Sequence, residues 1–312
     1  MKTVSIVIPA YNEENNIIPL FARLQNTMVA LNYTVEYLFV DDGSHDATLK
    51  VIQHLASENT NVYYVQFSRN FGHQCALKAG LDLANGDCVI SMDSDLQHPP
   101  EVIPQLIAKW EEGFDVVYTK RKELGELSWF KRKTSKLFYK TFNQLSGVKI
   151  EEGAADFRLM SRSVVNVFRQ LKETELFIRG LVKWAGFRQT AVEFTPAGRH
   201  AGETKYTIGQ MLSFAFKGLT SFSTRPLKLL VYCSLGLFLF SMILVPYALV
   251  SFLLGVAVSG WTSIMIAVVF FGSLQLLMIG VVGLYISKLV IQSKQRPTYI
   301  VRDTNYRTDA SK

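Results

Sequence analysis

The chain has 312 residues, 49% hydrophobic and 19% charged, with 33 Lys and Arg against 26 Asp and Glu for a formal net charge of +7. That length holds about two domains, the apolar excess is high for a purely soluble protein, and the positive balance points to an anionic partner: nucleic acid, anionic lipid or a phosphorylated substrate. Cys75, Cys88 and Cys233 are odd in number and scattered, which excludes a disulfide framework or a zinc-binding spacing and fits a reduced, cytosolic catalytic part.

Residues 3–120 alternate strand and helix signals. Val4–Ile8 is too short for an export signal and reads as a buried strand. Pro9-Ala10-Tyr11-Asn12-Glu13-Glu14-Asn15 is a turn, after which Ile17, Leu20, Phe21, Leu24 and Met28 recur at helical spacing. Val35–Val40 is the next strand and ends in Asp41-Asp42-Gly43-Ser44. Asp46 caps a helix carrying Leu49, Ile52 and Leu55. Val62–Phe67 is a third strand, and Ser68-Arg69-Asn70-Phe71-Gly72 a loop before a helix with Ala76, Leu77 and Leu81. Asp87–Met92 is the central strand, Pro100–Glu112 a helix and Asp115–Thr119 a further strand. Near-continuous apolar strands with helices between them imply a mainly parallel, doubly wound α/β sheet. No Gly-x-Gly-x-x-Gly follows the first strand and no Walker lysine motif occurs, which counts against a dinucleotide dehydrogenase and a P-loop enzyme.

The central strand ends at Asp93 and Asp95, one residue apart, with Gln97, His98 and Pro99-Pro100 behind them. Acids at the carboxyl end of a buried strand sit where open α/β sheets bind ligands. Two carboxylates with a nearby amide oxygen suit a hard divalent cation that keeps positions for phosphate. Solvated loop acids are the alternative, since so short a motif recurs by chance.

Beyond residue 120 the composition changes. Lys120, Arg121, Lys122, Lys131, Arg132, Lys133, Lys136 and Lys140 crowd around Trp129, Phe130, Leu137, Phe138, Phe142 and Leu145. At helical spacing over 128–147 this is a helix lying in a membrane interface; nucleic-acid binding competes for the basic cluster. A second such face, Ile208, Met211, Leu212, Phe214, Ala215, Leu219 and Phe222, spans 206–224, with an ordinary core helix as the lesser alternative. Leu229 to Ser287 holds no charge, enough for two crossings of ~20 residues each. The expected helices cover 227–255 and 261–290, with Pro246 kinking the first and a break near Ser259-Gly260-Trp261. Arg225 and Lys228 before them, and Lys288, Lys294 and Arg296 after, put both ends in the cytoplasm. A buried helical hairpin of a soluble protein is the alternative. The expected organisation is a cytosolic domain over 1–225, a transmembrane hairpin over 226–291 and a polar C-terminal segment over 292–312, a strand or a loose tail.

Six stretches stand out in order: Val7-Ile8-Pro9-Ala10-Tyr11-Asn12-Glu13, Val40-Asp41-Asp42-Gly43-Ser44, Arg69-Asn70-Phe71-Gly72, Asp93-Ser94-Asp95-Leu96-Gln97-His98-Pro99-Pro100-Glu101, Ala155-Asp156-Phe157-Arg158-Leu159-Met160-Ser161-Arg162, and Arg199-His200-Ala201-Gly202-Glu203-Thr204-Lys205-Tyr206. Together they resemble family-two inverting glycosyltransferases with a GT-A fold, and most of all the polyisoprenyl-phosphate branch: dolichol-phosphate mannose synthase and the bacterial undecaprenyl-phosphate glucosyltransferases. Thr204 stands where a serine is commoner, and His73 where several relatives have a small or basic residue.

The resemblance implies a Rossmann-like GT-A catalytic domain that moves one sugar from a nucleotide diphosphate sugar to undecaprenyl or another polyprenyl phosphate. UDP-glucose leads among donors, with UDP-N-acetylglucosamine, UDP-galactose, an aminopentose donor and GDP-mannose as alternatives. Asp95 and Gln97 would hold Mg²⁺ or Mn²⁺, with Asp93 contributing directly or through water and the sugar. Pro9, Tyr11, Glu13, Asp41 and Asp42 would cradle base and ribose, and Arg69 and Lys78 would face the phosphates. Arg158, Arg199 and Lys205 would bind the acceptor phosphate. Asp156 would act as a base or orient Arg158 or sugar hydroxyls. A multi-pass protein of the inner or plasma membrane, assembled as a homo-oligomer such as a tetramer, is implied, with no nucleic-acid partner. A catalytically silent scaffold of the same fold is the second reading. A processive polysaccharide synthase is disfavoured, since no Gln-x-x-Arg-Trp motif is present.

Overall fold

The computed structural model describes residues 1–122, 153–173, 176–195, 225–254 and 260–306. The expected interfacial helices over 128–147 and 206–224 lie outside the described residues. The chain divides into two compact units, one built on a sheet and including the segment from Pro297 onward, the other containing two long helices.

In the first unit the elements run β1 (Thr3–Ala10), α1 (Ile17–Val29), β2 (Thr34–Asp41), α2 (Thr48–Glu58), β3 (Val62–Phe67), α3 (His73–Leu83), β4 (Cys88–Ser91), α4 (Ile103–Glu111), β5 (Val116–Arg121), β6 (Ala154–Ser161), α5 (Arg162–Gln170), α6 (Ile178–Trp184) and β7 (Gln189–Phe194). The last strand, β8 (Val301–Thr304), comes after the long helices. The sheet order is β7-β5-β6-β4-β1-β2-β3-β8. Its centre, β4-β1-β2-β3, is wholly parallel. β6 runs antiparallel between β4 and β5, and β8 antiparallel along β3. This is the mainly parallel α/β sheet that the strand and helix signals imply.

Consecutive residues Ile6, Val7 and Ile8 of β1 are all fully buried, so both faces of this strand are covered. Such strands need helices on either side, which the βαβ crossovers supply. α1 buries Ile17, Leu20, Phe21, Leu24 and Met28, the face its sequence spacing marks out. α3 approaches closer than most helices: a Cβ on Gly80 would fall 2.1 Å from Val7 Cγ1. Only glycine lets α3 lie directly on β1, and this sets where its first residue, His73, emerges. Asp46, expected from the sequence to cap α2, lies one residue ahead of the N-cap Ala47 and accepts the Thr48 backbone N–H at 3.0 Å.

The second unit contains α7 (Arg225–Leu253), which runs through Pro246, and α8 (Trp261–Ser293). Within α8, Phe270–Ser293 has 24 residues, a mean hydropathy of 2.0 and no fully buried residue. At ~1.5 Å per residue it is long enough for a ~30 Å hydrocarbon layer. Tyr232, Met242 and Ile243 of α7 are likewise exposed.

Candidate active site

The strand order reverses direction between β1 and β4, and there the carboxyl ends of β1, β2 and β4 border a pocket of about 390 Å³. That is the place and size of a small-ligand site in an open α/β sheet. Pro9, Tyr11 and Glu13 line it from the end of β1, Asp42 from the end of β2, Asn70, Gly72 and His73 from the start of α3, and Asp93 and Asp95 from the end of β4. Four carboxylates thus share one cavity, and no described lining residue is a lysine or arginine.

Two strained turns aim these groups. Leu96 has φ +62° and Asn12 φ +55°, a region that non-glycine residues enter at some cost and that clusters at functional sites. The Leu96 turn brings the Gln97 N–H back to Asp95 Oδ1 at 3.1 Å. Asp93 is gripped from two sides. His73 Nε2 lies 2.8 Å from its Oδ1, and its backbone N–H donates to His98 Nδ1 at 3.1 Å. His98 is 1% exposed and stacks on Phe157 with ring centroids 5.3 Å apart. Burial pushes its pKa down to about 4, so near neutral pH it is the uncharged imidazole that can accept this bond.

Asp42 accepts the backbone N–H groups of Phe71 and Gly72, at 2.7 and 2.9 Å, and thereby holds the loop after β3. Next to it, Gly43 has φ +70°, and a Cβ there would lie 2.5 Å from the Arg69 carbonyl carbon. The Asp-Asp-Gly turn therefore fits against the 69–72 loop only with glycine in third place. Burial pushes the Glu13 and Asp42 carboxyls up. For Glu13 the neighbouring Asp95, Asp46 and Asp93 add to the rise, against a bond from Asn16. Burial pushes Asp93 up too, with His73 pulling the other way.

Hard oxygen donors crowded at the mouth of a buried strand fit a divalent cation. The described residues form no cage of three or more His, Cys, Asp or Glu. Asp93 and Asp95 would therefore share such an ion with phosphate oxygens and water, as a magnesium-like ion prefers.

Residues 5–168 match the model of the family described as Glycosyl transferase family 2. The chain is 42% identical over 303 residues to the prophage bactoprenol glucosyl transferase homolog of Escherichia coli, covering 96% of this chain and 98% of that one. It is 42% identical to the bactoprenol glucosyl transferase of Shigella phage SfV, over 96% and 98% of the two chains. An uncharacterized glycosyltransferase of Synechocystis is 43% identical, over 96% and 95%. The chain belongs to glycosyl transferase family 2.

Of the residues singled out in this family 2 glycosyltransferase, Pro9, Tyr11, Glu13, Asp42, Asp93 and Asp95 come together in the pocket lining. Others lie elsewhere. Asp41 is buried and receives the Ser44 N–H at 3.3 Å, so it shapes the turn. Gln97 is buried, and its backbone rather than its side chain is tied to Asp95. Arg69 lies over the Phe71 ring, 4.0 Å from its centroid. Lys78, expected near phosphate, is 5% exposed and paired with Asp82 one helical turn along α3. Arg158 is 2% exposed and bonded to Asp156 and the Ala155 carbonyl, so it is a buried strut within the fold. Arg199 and Lys205 lie outside the described residues.

Asp156 is held by Arg158 at 2.9 Å and by the Arg179 fork at 2.9 and 2.8 Å. Burial alone would raise its pKa, but Arg179 and Arg158 hold its carboxyl far below the usual carboxylate range. A carboxylate so held is a poor proton acceptor and a good anchor, which favours the orienting role over the base. Sequence reading named His98 without giving it a role, missed Arg179 and noted His73 only as a departure. Arg179 carries a faint signal, a lone charge within Leu176–Val182.

Proposed function

We propose that this glycosyltransferase moves a single sugar from a nucleotide diphosphate sugar, UDP-glucose, to a polyprenyl phosphate at the cytosolic face of a membrane, with inversion at the anomeric carbon. The observation that carries the reading is the four-carboxylate pocket at the strand ends. A nucleoside diphosphate is itself anionic, and without a counter-ion such a cavity would repel it. A divalent cation held by Asp93 and Asp95 would neutralise the diphosphate and the charge it gains on leaving. Tyr11, 41% exposed at the mouth, is suited to stack on the base. His98 and His73 fix Asp93 in place, and the Leu96 turn fixes Asp95.

The acceptor requires little from the protein as a base. A phosphomonoester has its second pKa at about 6, so near neutral pH it is already a nucleophile. Asp156, engaged by two arginines, fits that economy. The relatives named bactoprenol glucosyl transferases support a polyprenyl acceptor and a glucosyl group. We assign α7 and α8 as two crossings with both chain ends cytoplasmic, in a homo-oligomer of the inner or plasma membrane.

The test offers purified full-length protein, in detergent with undecaprenyl phosphate and Mg²⁺, a panel of radiolabelled nucleotide sugars. The expected result is label in lipid from UDP-glucose above all others, β-linked by NMR when the donor is α-linked. An α-linked product would exclude single displacement, and no lipid product from any donor would exclude the proposed acceptor.

A further inference from the structure

The segment after α8 belongs to the sheet unit and attaches to β3, the strand that leads into the pocket loop. β8 pairs with β3 through Val65 and Thr304, Gln66 and Asp303, and Phe67 and Val301. The Ser68 N–H continues this ladder to the Ile300 carbonyl at 3.0 Å. One residue earlier, Tyr299 stacks on Phe67, with centroids 5.2 Å apart and planes 13° from parallel. Its hydroxyl donates to Asp82 Oδ2 at 3.0 Å, and Asp82 also pairs with the buried Lys78. Burial and the Asp82 carboxylate push the Tyr299 pKa up, so the hydroxyl keeps its proton.

Phe67 is the last residue of β3, and Asp82 lies near the end of α3. Between these elements runs the loop whose Asn70 and Gly72, with His73, line the pocket. Phe71 of that loop packs edge-on against Phe67 itself, with centroids 5.7 Å apart. Tyr299 therefore bridges the strand that enters the loop and the helix that leaves it. Asp42 holds the loop through its backbone N–H groups, and Tyr299 braces the frame at Phe67 and Asp82. Loop ordering is a cost that ligand binding must otherwise meet.

We propose that Tyr299 is a positioning residue for the donor: it holds the 68–72 loop and His73 in the geometry that receives the nucleotide sugar. This rests on the reading of the pocket as the donor site. Tyr299→Leu keeps apolar bulk but loses the stack and the hydroxyl. In full-length protein with Mg²⁺ and undecaprenyl phosphate, it should raise the UDP-glucose KM about tenfold, with kcat at saturating donor within about twofold and acceptor KM unchanged. Tyr299→Phe restores the ring and should bring the donor KM back to about two- to threefold above wild type, the effect also expected of Asp82→Asn. A purely structural role would lower the melting temperature and leave the donor KM alone. A folded Tyr299→Leu protein with wild-type donor KM, or a Tyr299→Phe protein no better than Tyr299→Leu, overturns the proposal. Should Tyr299→Leu fail to fold, Tyr299→Phe and Asp82→Asn decide: a raised donor KM in both supports it, and an unchanged KM in either overturns it. Calorimetry separates this from the pocket reading. Wild-type protein that binds no UDP-glucose overturns both, whereas wild type and Tyr299→Leu binding it equally overturn only the role of Tyr299.

Discussion

Replacing Asp95 with asparagine should lower kcat about a thousandfold while leaving the protein folded. The amide oxygen of Asn can still accept the Gln97 N–H that Asp95 Oδ1 now receives, so the strained Leu96 turn keeps its bond. What is lost is one unit of negative charge at the open end of β4, where a cation-bound diphosphate would sit. Asp93→Asn is a less selective probe, because Asp93 also meets His73 and lies beside His98. The check is radiolabel transfer at saturating donor and acceptor beside a melting curve. A folded Asp95→Asn protein with wild-type kcat would remove Asp95 from the reaction.

Asp156→Asn is expected to cost about 3–5 kcal/mol of stability, because it leaves the buried Arg158 guanidinium and its Arg179 neighbour facing each other without their shared anion. Arg158 is 2% exposed, whereas exposed pairs are worth about 1 kcal/mol or less. The pH dependence follows from the direction of the shift. The folded pKa of Asp156 lies below the unfolded one, so its contribution is complete above the unfolded value of about 3.9 and is lost as pH falls below it. In thermal unfolding, the gap between wild type and Asp156→Asn should be widest near neutral pH and shrink only under strong acid. A neutral-pH loss of about 1 kcal/mol or less would mean that the triad behaves as an exposed pair.

Much of the site was legible because its parts are local. Asp93 and Asp95 follow an apolar strand directly, and Glu13 and Asp42 each follow another, so chain order alone places them at one edge of a parallel sheet. Legibility ended where a side chain's task depends on a distant partner. Arg179 matters through Asp156, 23 residues away, and no local pattern announces that meeting. The family resemblance implied that Lys78 faces phosphate, but its side chain is buried and pairs with Asp82 along α3. His98 became an acceptor only by being buried against Phe157. β8 is four exposed residues without apolar alternation; edge pairing and the Tyr299 and Tyr306 side chains hold it, at sequence separations of more than 200 residues. The antiparallel strand β6 was visible only as the Asp156-Phe157-Arg158 motif, since a strand's direction in the sheet is set by its neighbours.

Charge neutralisation at the strand ends is the step on which sugar transfer depends most, and metal withdrawal tests it directly. Purified full-length protein, supplied with UDP-glucose and undecaprenyl phosphate, should stop forming glycosylated lipid in excess EDTA and resume when Mg²⁺ or Mn²⁺ is restored. Lipid glycosylation continuing at the full rate in EDTA would contradict it.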